Sequence, residues 1–398
     1  MLEIVIMNTH PESIFQNTVQ PNWENYGSLG LVVIQATTFC NLNCGYCYLP
    51  DRESKKQFNL NLIEPLFKKI LSSRFLGEEL TVCWHAGEPL TVPISFYDTA
   101  INKINEVVDE CNDKKCLITQ TIQTNGTLIN QSWCDLFLKH KIDIGVSLDG
   151  PSFLHDAYRK TRTGLGTHAS TMRGISYLQK NGIDVHVIAV LTQESLDYPN
   201  EIFQFFWDNG ITEVGFNIEE IEGLNKSSSL KSSETETRFR NFINRFWELV
   251  VETNGEFKLR EFEQLCGFIY TGERINKRDL NTPFAILNID SQGNFSTFDP
   301  ELLGVKTEIY GDFILGNIMQ DTLESVCFTE KFQRMYTDVT AGVELCRSSC
   351  QYFGICGGGA TSNKYWENGT MRSSETMACK YYQKIITDVI LEKLEVHG

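Results

Sequence analysis

The chain has 398 residues, 41% hydrophobic and 22% charged, an ordinary balance for a globular protein of two or three domains. Its 51 acidic residues outnumber 35 basic ones, and a net charge of -16 repels phosphate backbones, which argues against DNA or RNA as a partner. Met1 to Asn8 lack the basic lead of a signal peptide and no apolar run approaches a membrane span, so the sequence predicts a cytoplasmic protein, its thirteen cysteines thiols or metal ligands.

Residues 1–30 carry no clear period and read as an N-terminal arm, broken at Pro11, Pro21 and Gly27. Organised structure begins with the β-branched run Leu31 to Gln35, a buried strand by pattern. Strand and helix then alternate. Strands are predicted at 80–84, 117–122, 142–147, 185–190 and 214–217. Helices carry Leu66 and Ile70, Ile101 and Ile104, Trp133 and Phe137, Ile175 and Leu178, and Ile202 and Phe206. Six such units predict an α/β fold over 31–222, a parallel sheet closed or nearly closed into a partial (β/α)6 TIM-like barrel. The unusual polar groups all follow strand ends: His85 to Pro89, Gln123 to Gly126, Ser147 to Gly150, Thr192 and Asn217. That is the face on which parallel α/β proteins bind ligands.

Residues 223–235 read as a polar linker or mobile loop, the first part of a bridging region, 223–280. Phe239, Phe242, Phe246, Leu249 and Val250 then define a long amphipathic helix bridging two domains. From 281 to 398, hairpin-like alternation at 286–295 opens a last region, and a helix through Tyr382, Ile386, Val389 and Ile390 closes it.

The first strand leads into Cys40-x3-Cys44-x2-Cys47, in a loop with Asn41, Asn43, Gly45 and Pro50. Three thiolates can hold three corners of a [4Fe-4S] cluster and leave one iron open to a small molecule; an electron carrier takes four cysteines. Structural zinc wants paired ligands, and neither a second Cys-x2-Cys nor a histidine follows within roughly thirty residues. Buried core thiols do not suit a loop of this composition.

This motif, with Tyr46 before its last cysteine, resembles the radical SAM enzymes. Ala86-Gly87-Glu88-Pro89 is similar to that family's Gly-Gly-Glu-Pro segment, which lies along the methionine end of S-adenosylmethionine. The resemblance implies that Tyr46, Gly87, Glu88, Ser147 and Arg159 bind this cofactor, Ser147 and Arg159 at its ribose and carboxylate region. It leaves His85, where relatives carry glutamine, either a role or a strand-end position. The implied chemistry is reductive cleavage to methionine and a 5′-deoxyadenosyl radical that removes hydrogen from carbon, fed by an electron donor of flavodoxin or ferredoxin type.

The last region resembles a SPASM domain. Cys346, Cys350, Cys356 and Cys379 supply four thiolates, enough for one auxiliary [4Fe-4S] cluster, with structural zinc as the alternative. Phe298 and Ala360 stand where ligands of a second auxiliary cluster usually sit, so one is expected. Asp299, after the missing cysteine, aligns with a catalytic base of sulfatase-type relatives; a turn-capping Asp before Pro300 is the plain alternative. "NIDSQGNFSTFDPELLG" and "CQYFGICGGGATSNKYWENGT" look like the cyclophane-forming peptide maturases acting on glycine-rich-repeat precursors. That resemblance implies a precursor peptide with a leader and a C–C crosslink from an aromatic ring carbon to a β-carbon. A formylglycine- or thioether-forming maturase and an iron-sulfur electron carrier are the alternatives. Cys83, Cys134, Cys266 and Cys327 read as core filler, and Cys111 and Cys116 as surface thiols.

Overall fold

The structure, a computed structural model, describes residues 21–273 and 280–397, so the expected N-terminal arm lies outside the described residues as far as residue 20. Six parallel strands form the frame: β1 (Leu29–Ile34), β2 (Leu76–Trp84), β3 (Leu117–Thr124), β4 (Ile142–Ser147), β5 (His186–Leu191) and β6 (Glu213–Ile218). Helices α1 (Ile63–Ser72), α2 (Ile94–Cys111), α3 (Gln131–His140), α4 (Ser152–Tyr158), α5 (His168–Lys180) and α6 (Pro199–Asp208) occupy the connections. In α1 the apolar stripe of Ile63, Leu66, Phe67, Ile70 and Leu71 is buried. Each such side chain contributes about 1.5–3 kcal/mol.

The strands run β1 to β6 in sheet order, but β6 does not return to β1, so the barrel is an open arc. The chain extends the sheet on both sides. After α7 (Ser233–Glu252), the short β7 (Lys258–Leu259) pairs with β6 and leads into α8 (Arg260–Thr271). On the other side β8 (Ile286–Ile289) lies parallel to β1, with Leu31 opposite Ile286, and β9 (Asn294–Thr297) returns antiparallel. The predicted hairpin is therefore continuous with the core sheet.

Beyond it lie three two-residue strands, β10 (Lys306–Thr307), β11 (Gly311–Asp312) and β12 (Gly316–Asn317), and the helices α9 (Glu330–Ser349), α10 (Phe353–Cys356) and α11 (Thr361–Asn368). The chain ends in α12 (Met377–Cys379), a π-helical turn over Lys380–Ile385 and α13 (Ile386–His397). The π turn aims two neighbouring tyrosines at different targets. Tyr381 packs edge-on to Phe239 of α7 at 4.8 Å, and the Tyr382 hydroxyl accepts from the Ile218 amide at 2.7 Å. Thus α7 joins the arc to the C-terminal helix through its buried Phe239, Phe242 and Phe246.

Two expectations need correction. Residues 223–235 are held rather than loose: the Leu224 amide donates to the Tyr48 carbonyl at 3.0 Å, Ser229 binds Glu219, and Leu230 is buried. Cys116 is buried, because the Asn112 side chain bonds its amide and carbonyl at 2.9 and 2.8 Å and closes the turn inward. None of the thirteen cysteines is in a disulfide. No helix among the described residues is long and apolar enough to cross a membrane.

Candidate active site

The loop after β1 is built from outside itself. Its amides at Asn43 and Gly45 donate to the carbonyls of Lys160 and Tyr158 at 2.8 and 3.0 Å, and Arg162 Nε donates to the Cys40 carbonyl at 2.9 Å. From the segment after β2, the Glu88 amide donates to the Phe39 carbonyl at 2.7 Å. Gly87 is required here: its φ is +59°, and a Cβ would lie 2.6 Å from the Phe39 carbonyl oxygen and 2.7 Å from that of Thr37. Ala86 shares the left-handed conformation at φ +73°.

Burial pushes the Cys40 thiol up to about 12, with Glu88 next in effect, and burial pushes Cys44 to about 11 against the pull of Arg159. Such thiols ionise only beside a strong positive charge, which cluster iron supplies. Among the described residues no three His, Cys, Asp or Glu side chains converge tightly enough for a single ion. Cys346, Cys350, Cys356 and Cys379 together line a cavity of about 100 Å³. The Cys379 sulfur accepts from the Thr376 amide at 3.4 Å, and such amide donors stabilise thiolate charge. These residues fit a four-thiolate cluster.

Of the expected cofactor residues, Tyr46 follows β1, Gly87 and Glu88 follow β2, Ser147 ends β4 and Arg159 follows α4, with one addition. Glu88 is buried and fully engaged: it accepts from the Leu90 amide at 2.9 Å, the Thr124 hydroxyl at 2.7 Å and the Asn125 amide at 2.8 Å. Burial raises its carboxyl while these bonds oppose the rise. Its carboxylate fastens β3 to the segment after β2, while the Gly87 backbone packs against the cluster loop. Ser147 accepts from Gln123 Nε2 at 3.0 Å. His85 is held down to about 4 by burial, so it is neutral near pH 7.

The addition is Asp149. One oxygen takes the Arg159 Nε at 2.9 Å and the Tyr46 hydroxyl; the other takes the Val190 amide at 2.9 Å. Asp149 and Arg159 are 5% and 7% exposed, so this is a buried ion pair. Burial opposes the Arg159 charge, and Asp149, with Tyr46 and Cys44, more than offsets that. A single carboxylate thus ties the cluster loop to Arg159 and to β5. Its signal in the sequence was its place one residue past Leu148, at the end of a predicted strand.

Asp299 sits apart from this group, facing the auxiliary region. It does not cap the turn before Pro300. Its carboxylate accepts from the Ser362 amide at 2.8 Å, while its carbonyl accepts from Leu302. Three glutamates join it: Glu220 and Glu222, after β6, and Glu301. The sequence showed them as the acidic run Glu219-Glu220-Ile221-Glu222, but nothing there placed Glu301 beside it. Burial, then Glu301, pushes Asp299 well above the usual carboxylate range.

Residues 34–206 match the radical SAM superfamily. The uncharacterized protein sll1766 of Synechocystis sp. is 54% identical over 371 residues, spanning 93% of each chain. A serine-type anaerobic sulfatase-maturating enzyme of Bacteroides thetaiotaomicron is 26% identical over 368 residues, 86% of this chain and 85% of that one. The structure of native anSMEcpe with bound AdoMet and Cp18Cys peptide shares the fold at a TM-score of 0.74 and 21% identity, covering 92% of this chain and 98% of that one. SuiB of Streptococcus suis bound to the precursor peptide SuiA does so at 0.61 and 18%, covering 89% and 77%. A pinned three-cysteine loop after the first strand of an open parallel arc, together with these likenesses, gives the conclusion: the chain belongs to the radical SAM superfamily and is an enzyme using S-adenosylmethionine and a [4Fe-4S] cluster.

Proposed function

We propose that this enzyme matures a ribosomally made peptide by joining an aromatic ring carbon to the β-carbon of a nearby residue. The observation that carries this reading is the auxiliary region: four thiols line one cavity, while buried Phe298 stands beside Asp299 where a further ligand would be expected. One auxiliary cluster suffices to take up a single electron at the close of a crosslink. The similarity to peptide-acting maturases supports a peptide substrate. A formylglycine-forming maturase is the second reading, favoured by the 26% identity to a sulfatase-maturating enzyme over most of both chains.

When bound, cluster and cofactor supply a carbon radical that removes hydrogen from the peptide. The chain's part is to orient and to shield. Cys40, Cys44 and Cys47 hold the first cluster; Cys346, Cys350, Cys356 and Cys379 hold the second. Gly87 gives the cofactor's methionyl end a close backbone approach, and Glu88 stiffens that segment without touching the ligand. Arg159 offers its guanidinium fork to the cofactor carboxylate, oriented through Nε by Asp149. Asp299, in its ionised form, takes the proton lost when the ring regains aromaticity. A flavodoxin- or ferredoxin-type donor supplies the starting electron.

The test is mass spectrometry of precursor peptide co-expressed with the enzyme. Loss of two hydrogens per link is expected, with tandem spectra placing the link between ring and β-carbon. Conversion of a Cys or Ser to an aldehyde would replace this reading with the second.

A further inference from the structure

A cavity of about 510 Å³ lies between the end of β6, helix α8 and the auxiliary region. Its lining includes the acids Glu220 and Glu301 and the apolar Leu265, Phe268 and Ile386. Glu222 and Asp299 lie near these acids. Glu222 is 2% exposed, and its Oε1 accepts from Ser362 Oγ at 2.6 Å and Asn363 Nδ2 at 3.1 Å. Its Oε2 is buried without a partner, among Glu220, Glu301 and Asp299. An orphaned carboxylate oxygen inside a group of acids is costly unless a proton or a cation completes it. Arg260, the cation on the cavity wall, is already committed: its guanidinium donates to Glu261 at 2.7 Å, and to the Phe216 carbonyl and Asn217 at 2.8 Å. Glu367 adds further negative potential at Glu220, which a hydrogen bond from Asn363 and the Arg260 charge only partly offset.

These acids do not converge on one point as metal ligands would. Spread carboxylates in a lining that also carries apolar side chains match a longer cation, with a charged head and an aliphatic stem. The cavity adjoins the second cysteine site. Cys356 and Cys379 are on its lining, and Tyr48, next to Cys47, lies near enough to Glu301 to feel its charge.

We propose that this cavity binds a lysine or arginine side chain of the peptide substrate, its charge against Glu220 and Glu301 and its stem along Leu265 and Phe268. The inference rests on the peptide-maturase reading and adds to it a selection for substrates by charge. Without an occupant, burial and then Glu301 hold Glu220 up to about 8, so the empty pocket takes up protons that a bound ammonium would displace.

The test uses the reconstituted holoenzyme and two acetylated, amidated pentapeptides, Gly-Gly-Lys-Phe-Gly and its norleucine isostere, titrated calorimetrically at low salt. The lysine peptide should bind at least about tenfold more tightly, and Glu220→Gln or Glu301→Gln should each remove most of that preference. Equal binding of both peptides, or a preference untouched by both substitutions, overturns the pocket. Should the variants lose iron, saturation-transfer NMR of the wild type decides: contacts to the lysine ε-methylene are expected, and their absence overturns it. The same preparation is assayed for 5′-deoxyadenosine. Product without charge preference overturns the pocket alone, whereas no product overturns the maturase reading beneath it.

Discussion

Asp149→Ala removes the acceptor that three elements share. Arg159, 7% exposed, is left as a buried charge without its partner, and the Tyr46 hydroxyl and Val190 amide each lose an acceptor. Breaking a buried ion pair from one side costs about 3–5 kcal/mol, and each orphaned donor about 1–3 more. The three share one carboxylate, so the terms overlap, and a total of about 4–6 kcal/mol is expected. Replacing both partners should behave differently: Asp149→Leu with Arg159→Met leaves no buried charge and should recover at least about 2 kcal/mol of the loss. The assay is anaerobic urea unfolding of reconstituted protein followed by tryptophan fluorescence, with iron measured on every sample. A single variant within about 1 kcal/mol of wild type, or a double variant no better than the single one, would refute the claim that Asp149 is held here as the counter-charge of Arg159.

Gly87→Ala forces a left-handed backbone on a residue that resists it, about 1–2 kcal/mol, and presses a Cβ onto two fixed carbonyls, so iron at the first cluster should fall; full iron would contradict the packing drawn from Phe39 and Thr37. Cys356→Ala should lower iron from about eight to about four per chain by elemental analysis, and a wild type near twelve would contradict a single auxiliary cluster. Buried His155 is held down to about 4, with Nδ1 accepting from the Asp149 amide at 3.4 Å. Its folded value lies below the unfolded 6.5, so the unfolded chain binds the extra proton between them. Stability is therefore full above 6.5 and falls by about 3 kcal/mol as pH drops towards 4. A His155→Gln variant should lose that part of the acid sensitivity in urea titrations at stepped pH.

The frame was legible because it rests on short-range pattern. Runs such as Ile142 to Ser147 and Leu117 to Ile122 are strands by residue type alone, and Cys40, Cys44 and Cys47 announce a metal by spacing. What lay beyond reach depends on contacts between distant segments. Nothing local showed that Ile286 would pair beside Leu31 and lengthen the core sheet. Asp149 reads as an ordinary strand-end turn residue until the fold brings Arg159 and Tyr46 to it. Glu88 has the right motif, yet its oxygens are occupied by Thr124 and Asn125, so motif membership did not reveal that it braces the site from behind. The buried acids meet only because Asp299 and Glu301 fold back against the end of β6, 80 residues from Glu219 to Asp299 in sequence.

The proposed active site depends on an iron corner that Cys40, Cys44 and Cys47 would leave open. Anaerobically reconstituted enzyme, given dithionite and S-adenosylmethionine, should release 5′-deoxyadenosine, and Cys47→Ala should abolish it. Full iron loading with no nucleoside released would contradict the account at its base.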